Sequence, residues 1–327
     1  MKAFVHENGN LKVKIMDEPI AKKDEVVVSI RYAGLNRRDL YIPNRRGDNP
    51  DPLILGSDGA GVIDAVGDGV GNFQIGDEVI INPSLRWYEK SDAPPEGFDI
   101  LGMPDHGTFA EKIVISAEQV EKKPAYLSWD EASAIALPAL TGYRALFTKG
   151  QVKAGDTVFI PGAGSGVATY VIMFAKNIGA KVIVTSRSEK KREQAIHIGA
   201  DMAIDTKSDW VEELKNETID LVIESVGEAT FNRSLEVLKK GGRMVTFGAT
   251  TEDTITFNLR SFFYGQYQLF GSTMGSKEEL REMLKHMEKH QTHPVIDCTY
   301  TLDEAQKAFD YLEANKQFGK VILKIES

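Results

Sequence analysis

Residues Thr157 to Ser186 read TVFIPGAGSGVATYVIMFAKNIGAKVIVTS, a strand, a turn, a helix and a second strand in succession. Thr157 to Ile160 is a short apolar run rich in β-branched residues, and the glycine-dense turn Gly162-Ala163-Gly164-Ser165-Gly166 follows almost at once. Past the turn, Val167, Val171, Ile172, Phe174, Ala175 and Ile178 recur at helical spacing until Gly179, and Lys181 to Thr185 is again a strand. A parallel return after a helix implies a doubly wound sheet.

A backbone without Cβ comes close to a pyrophosphate, and the helix behind the turn offers unpaired N–H groups at a positive dipole end. Gly162, Ala163, Gly164, Ser165, Gly166 and Val167 are therefore the expected dinucleotide turn, with Ala168 where the fingerprint admits alanine for helix packing. A turn that binds nothing is the alternative. The end of the second strand separates the two nicotinamide dinucleotides. An NAD site usually carries an acid there, about 20 residues past the turn, for the ribose 2′-hydroxyl. Here Thr185-Ser186-Arg187-Ser188 is followed by Glu189-Lys190-Lys191-Arg192. Ser186 can donate to a 2′-phosphate without repelling it, Arg187 can pair with it through a charge-assisted fork, and Lys191 adds a second cation. NADPH is the expected cofactor. Basic residues that merely cover an exposed helix start are the alternative.

The chain has 327 residues, enough for two domains, and its composition is that of an ordinary globular protein. A net charge of −9 gives no general attraction to nucleic acid or anionic membrane. The one cysteine, Cys298, excludes an internal disulfide framework and most thiolate zinc sites. No apolar run approaches the ~18 residues of a membrane span, and Met1 to Lys14 lacks the apolar core of a signal peptide, so a cytoplasmic location is expected.

From Met1 to about Glu121 the pattern is short strands and tight turns, a mainly antiparallel β domain. Between Asn82 and Gly107 lies a long segment that reads equally as a flap over a site or a surface excursion. Leu127 to Lys149 reads as one helix with Ser128 as N-cap. Strands at Leu221 to Val226, Arg243 to Phe247 and Leu269 to Ser272 complete a six-stranded open sheet. Lys277 to His290 and Leu302 to Asn315 are further helices, and Lys320 to Ile325 is a closing strand expected to return to the first domain. The expected division is 1–125 completed by 273–327, and 126–272. His286, His290 and His293 share helical spacing, but Pro294 and the charged flanks argue against a metal site.

The segments Ala33 to Tyr41, Leu55 to Gly61, Gly107 to Glu111, Gly199-Ala200-Asp201 and Gly241-Gly242-Arg243 resemble, in this order, the medium-chain dehydrogenase/reductase superfamily. The resemblance covers nearly the whole chain and implies an α/β protein, a Rossmann doubly wound sheet plus a GroES-like, mainly β catalytic domain. In the zinc alcohol dehydrogenases of this superfamily the first segment supplies a cysteine ligand and the second a histidine followed by glutamate. Here Asn36, Ser57 and Asp58 stand at those positions, and Leu137 lies near the third. Both zinc sites are expected to be absent. Asn36-x-x-Asp39-x-Tyr41 is similar to the zinc-free quinone oxidoreductase branch.

Without a metal to stabilise an alkoxide, oxidation of a simple alcohol is difficult, whereas a quinone or an alkene conjugated to a carbonyl is already electrophilic. The resemblance therefore implies an NADPH-dependent reductase of one of these acceptors. Asn36 and Tyr41 are the expected catalytic residues, donating to the acceptor's carbonyl oxygen from a cleft between the domains. By the same resemblance Arg37 approaches the pyrophosphate, with Arg38 an equal candidate. Thr141, Gly248, Ala249 and Thr250 line the nicotinamide pocket, and Lys320 reaches the cofactor. Asp39 and Asp58 read as structural. A homodimer joined at Leu269 to Ser272 is implied too. An NADPH-binding protein with a crystallin-like or regulatory role is the competing class, and an enone or alkenal reductase is the main rival to a quinone reductase.

Overall fold

A computed structural model describes residues 1–325. The chain forms two compact units, Met1–Leu140 with the segment from Gly275 onward, and Thr141–Met274.

The second unit is a six-stranded parallel sheet with strands β1 (Thr157–Pro161), β2 (Lys181–Ser186), β3 (Met202–Asp205), β4 (Ile219–Glu224), β5 (Leu238–Thr246) and β6 (Gln268–Gly271). Their spatial order is 3-2-1-4-5-6, the doubly wound arrangement expected from the βαβ unit. Every residue of β1 is buried, as a parallel strand covered on both faces requires. Helices α1 (Gly166–Asn177), α2 (Glu189–His197), α3 (Glu228–Val237) and α4 (Leu259–Gly265) connect the strands. Ser165 caps α1 by accepting from the Ala168 N–H, and Gly179, at φ +82°, lies just past its end where a left-handed residue is needed. Phe159, Ile183, Val222 and Met244 on the sheet pack with Trp210 and Phe231 into one core.

The first unit is built on Glu25–Gly34, the central strand of a seven-stranded sheet. Asp58–Val66 pairs antiparallel along one of its edges; on the other, Lys112–Ser116 pairs with its first half and Lys320–Lys324 with its last residues. Ile296–Thr301 runs parallel beside Lys320–Lys324, so the C-terminal segment is part of this sheet. The alternation of Val26, Val28 and Ile30 puts those side chains in the core with Phe109 and Phe309. Among the described residues no helix is long and apolar enough to cross a membrane.

One stretch differs from the sequence expectation. Leu127 to Lys149 is not one helix but Trp129–Ala132, Ala136–Tyr143 and a π-type turn Arg144–Lys149. Pro138 has no N–H and its ring would clash with the carbonyl four residues back, so a helix containing it starts afresh just before it. The first piece also belongs to the first unit, which places the change of unit at Leu140/Thr141 rather than 125/126. The 82–107 segment is an ordered excursion. Ser84–Leu85 pairs with Asp99–Ile100, Trp87 packs edge-on to Phe98, and Arg86 forks onto the Gly97 carbonyl (2.6 Å), Asp99 (2.6 Å) and Asp105 (3.3 Å).

Candidate functional site

In the second unit the glycine turn sits at the carboxyl end of β1, beside β4, where the strand order reverses. Gly162 has φ +86°, a conformation closed to most side chains, and the amides of Gly162 and Ala163 both donate to the Thr185 carbonyl (3.2 and 2.9 Å). Ser165 is the α1 cap, and Gly166 and Val167 open that helix. Gly164 has the Lys191 side chain lying across it: a Cβ built there would be 2.9 Å from Lys191 Cδ and 3.2 Å from Nζ. Ser186 is buried at the end of β2, with its hydroxyl accepting from the Ser188 amide (3.2 Å), and Arg187 next to it is exposed. Ser186, Arg187 and Lys191 thus gather where β2 ends and α2 begins. Gly248, Ala249 and Thr250 form the loop after β5, with the Thr250 hydroxyl 3.4 Å from the Val226 carbonyl. Thr141 is buried, with its hydroxyl directed at Met274 Sδ (3.7 Å).

In the first unit, strand register brings together residues far apart in sequence. Gly34 pairs with both Asp58 and Ile322, so Asn36, Asp58 and Lys320 meet at one end of three adjacent strands. Lys320 is 2 % exposed and its ammonium donates to the Leu35 carbonyl (2.7 Å), Asn36 Oδ1 (2.7 Å) and Asp58 Oδ2 (3.2 Å). Asn36 Nδ2 donates to Asp58 Oδ2 (3.0 Å), and Asp58 Oδ1 accepts from the Leu137 amide (2.6 Å). Alongside lies a second pair, a buried Asp39 with a partly buried Arg38. Asp39 accepts from the Asn36 amide (2.8 Å), and Arg38 donates to Ser57 Oγ (2.7 Å) and the Leu101 carbonyl (2.7 Å) with its guanidinium 3.9 Å from Asp39. Arg37 is half-buried and bonds the Asn315 side chain, while Tyr41 is 38 % exposed.

Two family models match the chain: the alcohol dehydrogenase GroES-like domain over residues 22–125 and the zinc-binding dehydrogenase over residues 166–289. A zinc-type alcohol dehydrogenase-like protein of Schizosaccharomyces pombe is 34% identical over 319 residues, covering 92% of this chain and 91% of that one. The chain belongs to the medium-chain dehydrogenase/reductase superfamily. As a zinc-type alcohol dehydrogenase-like member it is an oxidoreductase that binds a nicotinamide cofactor on a Rossmann unit joined to a GroES-like unit. It is also 31% identical to an acryloyl-coenzyme A reductase of Sulfurisphaera tokodaii, covering 99% of this chain and 100% of the relative. The crystal structure of an NAD-dependent alcohol dehydrogenase matches with a TM-score of 0.92 at 34% identity, covering 100% of both chains.

The family description names zinc, and the donor set of this superfamily member does not fit it. Zinc needs thiolate, imidazole or carboxylate donors whose lone pairs converge on one point. Here Asn36 Oδ1 and Asp58 Oδ2 already accept from the Lys320 ammonium, and Ser57 Oγ from Arg38. Protein cations already engage those oxygens.

Two residues expected in the site are engaged with partners inside the first unit. All three donors of the Lys320 ammonium are used inside the first unit. Asn36 takes the ammonium at Oδ1 and turns its Nδ2 toward Asp58 Oδ2, with the Gly34 carbonyl 3.5 Å from the same nitrogen. Sequence reasoning left Arg38 as an undifferentiated neighbour of Arg37, and the doublet carried no signal that the second arginine folds inward.

Burial pushes the Asp39 carboxyl up to about 6, against the opposing pull of Arg38. An unfolded aspartate titrates near ~3.9. Between these values the folded state binds more protons than the unfolded one, so the Asp39 contribution to stability falls as pH rises through this window and is level above it. Asp39→Asn, which does not ionise, is expected to gain on the parent in urea midpoint as pH is raised from about 4.5 to about 6.5. A pH-independent difference between the two would contradict the assignment.

Proposed function

We propose that this oxidoreductase reduces a quinone or a double bond conjugated to a carbonyl, with NADPH as donor and without zinc. The observation that carries the reading is the Lys320 ammonium seated on Asn36 and Asp58, which leaves no cluster of lone pairs to polarise a simple alcohol. An acceptor that is electrophilic without a metal is then required, and the similarity to an acryloyl-coenzyme A reductase supports that class. NADPH is favoured by Ser186, Arg187 and Lys191 at the end of β2, where no acid stands to meet a 2′-hydroxyl.

NADPH, when bound, supplies the hydride. The glycine turn and the α1 N-terminus receive its pyrophosphate, and Arg187 and Lys191 its 2′-phosphate. Hydride added to the β-carbon of a conjugated alkene leaves an enolate, which takes one proton at the α-carbon. A quinone takes the hydride and one proton to become a hydroquinone. Tyr41, with an exposed side chain, is the proposed proton donor, and Asn36 a residue that holds Asp58 and Lys320 in place. The reading includes a cytoplasmic homodimer. Support for the second copy comes from β6, the edge of the sheet, where Leu269 is exposed together with Phe263 and Tyr264 of α4.

The test is steady-state turnover of chelator-treated protein with NADPH and a panel containing 1,4-benzoquinone, 3-buten-2-one and crotonyl-coenzyme A. Turnover of at least one acceptor, unchanged by added zinc, is expected. Oxidation of a simple alcohol that appears only on adding zinc would overturn the reading, and tight NADPH binding with no turnover of any acceptor would favour a non-catalytic role.

A further inference from the structure

Strand β4 runs Leu221-Val222-Ile223 and then ends on a carboxylate, Glu224, which is wholly buried. Its partners are all neutral donors: the amides of Val226 (2.7 Å) and Gly227 (3.2 Å), the Thr230 hydroxyl (2.9 Å) and the Ser234 hydroxyl (3.1 Å). Removing a carboxylate from water is costly, and an apolar residue of similar size serves a sheet interior as well or better. The acid is therefore explained by what it holds rather than by the core around it.

What it holds is the Ser225–Gly227 turn and the first two turns of α3. The turn in turn touches both neighbouring loops of the crevice. Val226 Cγ2 lies 3.2 Å from the position of a Cβ built on Gly162, and the Val226 carbonyl accepts from the amide (2.9 Å) and hydroxyl (2.8 Å) of Thr251. Gly227, at φ +97°, would bring a Cβ within 3.2 Å of Ala249 Cα. The loops after β1, β4 and β5 thus meet at Val226–Gly227, beside the β1/β4 boundary where the strand order reverses. Ser186 and Arg187 lie at the end of β2, on the other side of β1.

We propose that Glu224 is a positioning residue for the cofactor: it fixes the Val226–Gly227 turn, which bounds the nicotinamide half of the dinucleotide site, and leaves the adenosine 2′-phosphate half untouched. The inference rests on the proposed NADPH reading. Misplacing a wall of the site by about 1 Å costs up to ~10²-fold in a positioned interaction.

The experiment is calorimetric titration of parent, Glu224→Leu and Glu224→Gln with two probes, NADPH and 2′,5′-ADP, the second carrying only the adenosine half. Glu224→Leu removes every acceptor and is expected to weaken NADPH about tenfold or more while 2′,5′-ADP stays within about twofold. Glu224→Gln keeps one acceptor oxygen and is expected to recover most of the NADPH affinity. Should Glu224→Leu fail to fold, a loss of about threefold for NADPH alone in Glu224→Gln carries the same meaning. Equal losses for both probes, or no loss for either, would overturn the role of Glu224 while leaving the cofactor reading intact. A parent protein that binds neither probe would overturn the cofactor reading itself.

Discussion

Lys320→Met is expected to lower the stability of the first unit by about 3–5 kcal/mol, the usual consequence of removing one partner of a buried ion pair. Methionine is close to lysine in shape, so packing is largely kept and the loss is electrostatic. Asp58 would retain the Leu137 amide and Asn36 Nδ2 but lose its ammonium partner, and Asn36 Oδ1 and the Leu35 carbonyl would lose their donor. The measurement is urea unfolding at neutral pH of Lys320→Met, Asp58→Asn and the double variant. Because Asp58→Asn removes the stranded charge, the double variant is expected to be more stable than Lys320→Met alone. A loss below ~1 kcal/mol in Lys320→Met would show that water reaches the pair and that Lys320 is not the built-in cation of this site.

The second large effect falls on cofactor choice. Arg187→Asp replaces the proposed partner of the 2′-phosphate with a like charge, and a hydrogen bond to a charged group contributes about 1.5–3 kcal/mol. NADPH is expected to bind ~10–100-fold more weakly at low salt, with NADH changed by less than about threefold. Arg187 is exposed, so the NADPH loss should shrink as ionic strength rises, since screening acts on exposed charges. Fluorescence titration with both cofactors at two salt concentrations measures this. Equal affinity of the parent for NADPH and NADH would remove the argument from Ser186 and Arg187. The likeness to an NAD-dependent alcohol dehydrogenase makes that outcome a pointed one.

The parallel sheet was readable because its signals are local. An apolar run, a glycine turn and a helical repeat lie side by side in Thr157 to Ser186, and each element announces its own period. The signals of the helix Lys277–His290 are equally local, and in the structure Ser276 and Glu279 close a capping box at its start. The helix drawn through Leu127 to Lys149 was wrong because its alanine and leucine content outweighed one proline whose effect is steric. Glu224 has a local signature too: an acid closing an apolar β-branched strand is a poor core residue and asks what it binds.

The candidate site of the first unit was legible as a set of residues but not as a set of partners. From the sequence Asn36 is expected at an acceptor, Lys320 at a cofactor and Asp58 in a structural role, and nothing in it pairs the three with one another. Lys320 and Asp58 stand 262 residues apart, and only the register of Gly34 against both strands brings them within hydrogen-bond reach. The sequence by itself determined the doubly wound sheet, the dinucleotide turn and the basic end of β2, because backbone sterics and side-chain periodicity act between near neighbours. Tertiary structure alone decided which buried charges face each other. In a low-dielectric interior that choice depends on distances of a few ångströms between strands remote in sequence, and it makes Asn36, Asp58 and Lys320 partners of one another.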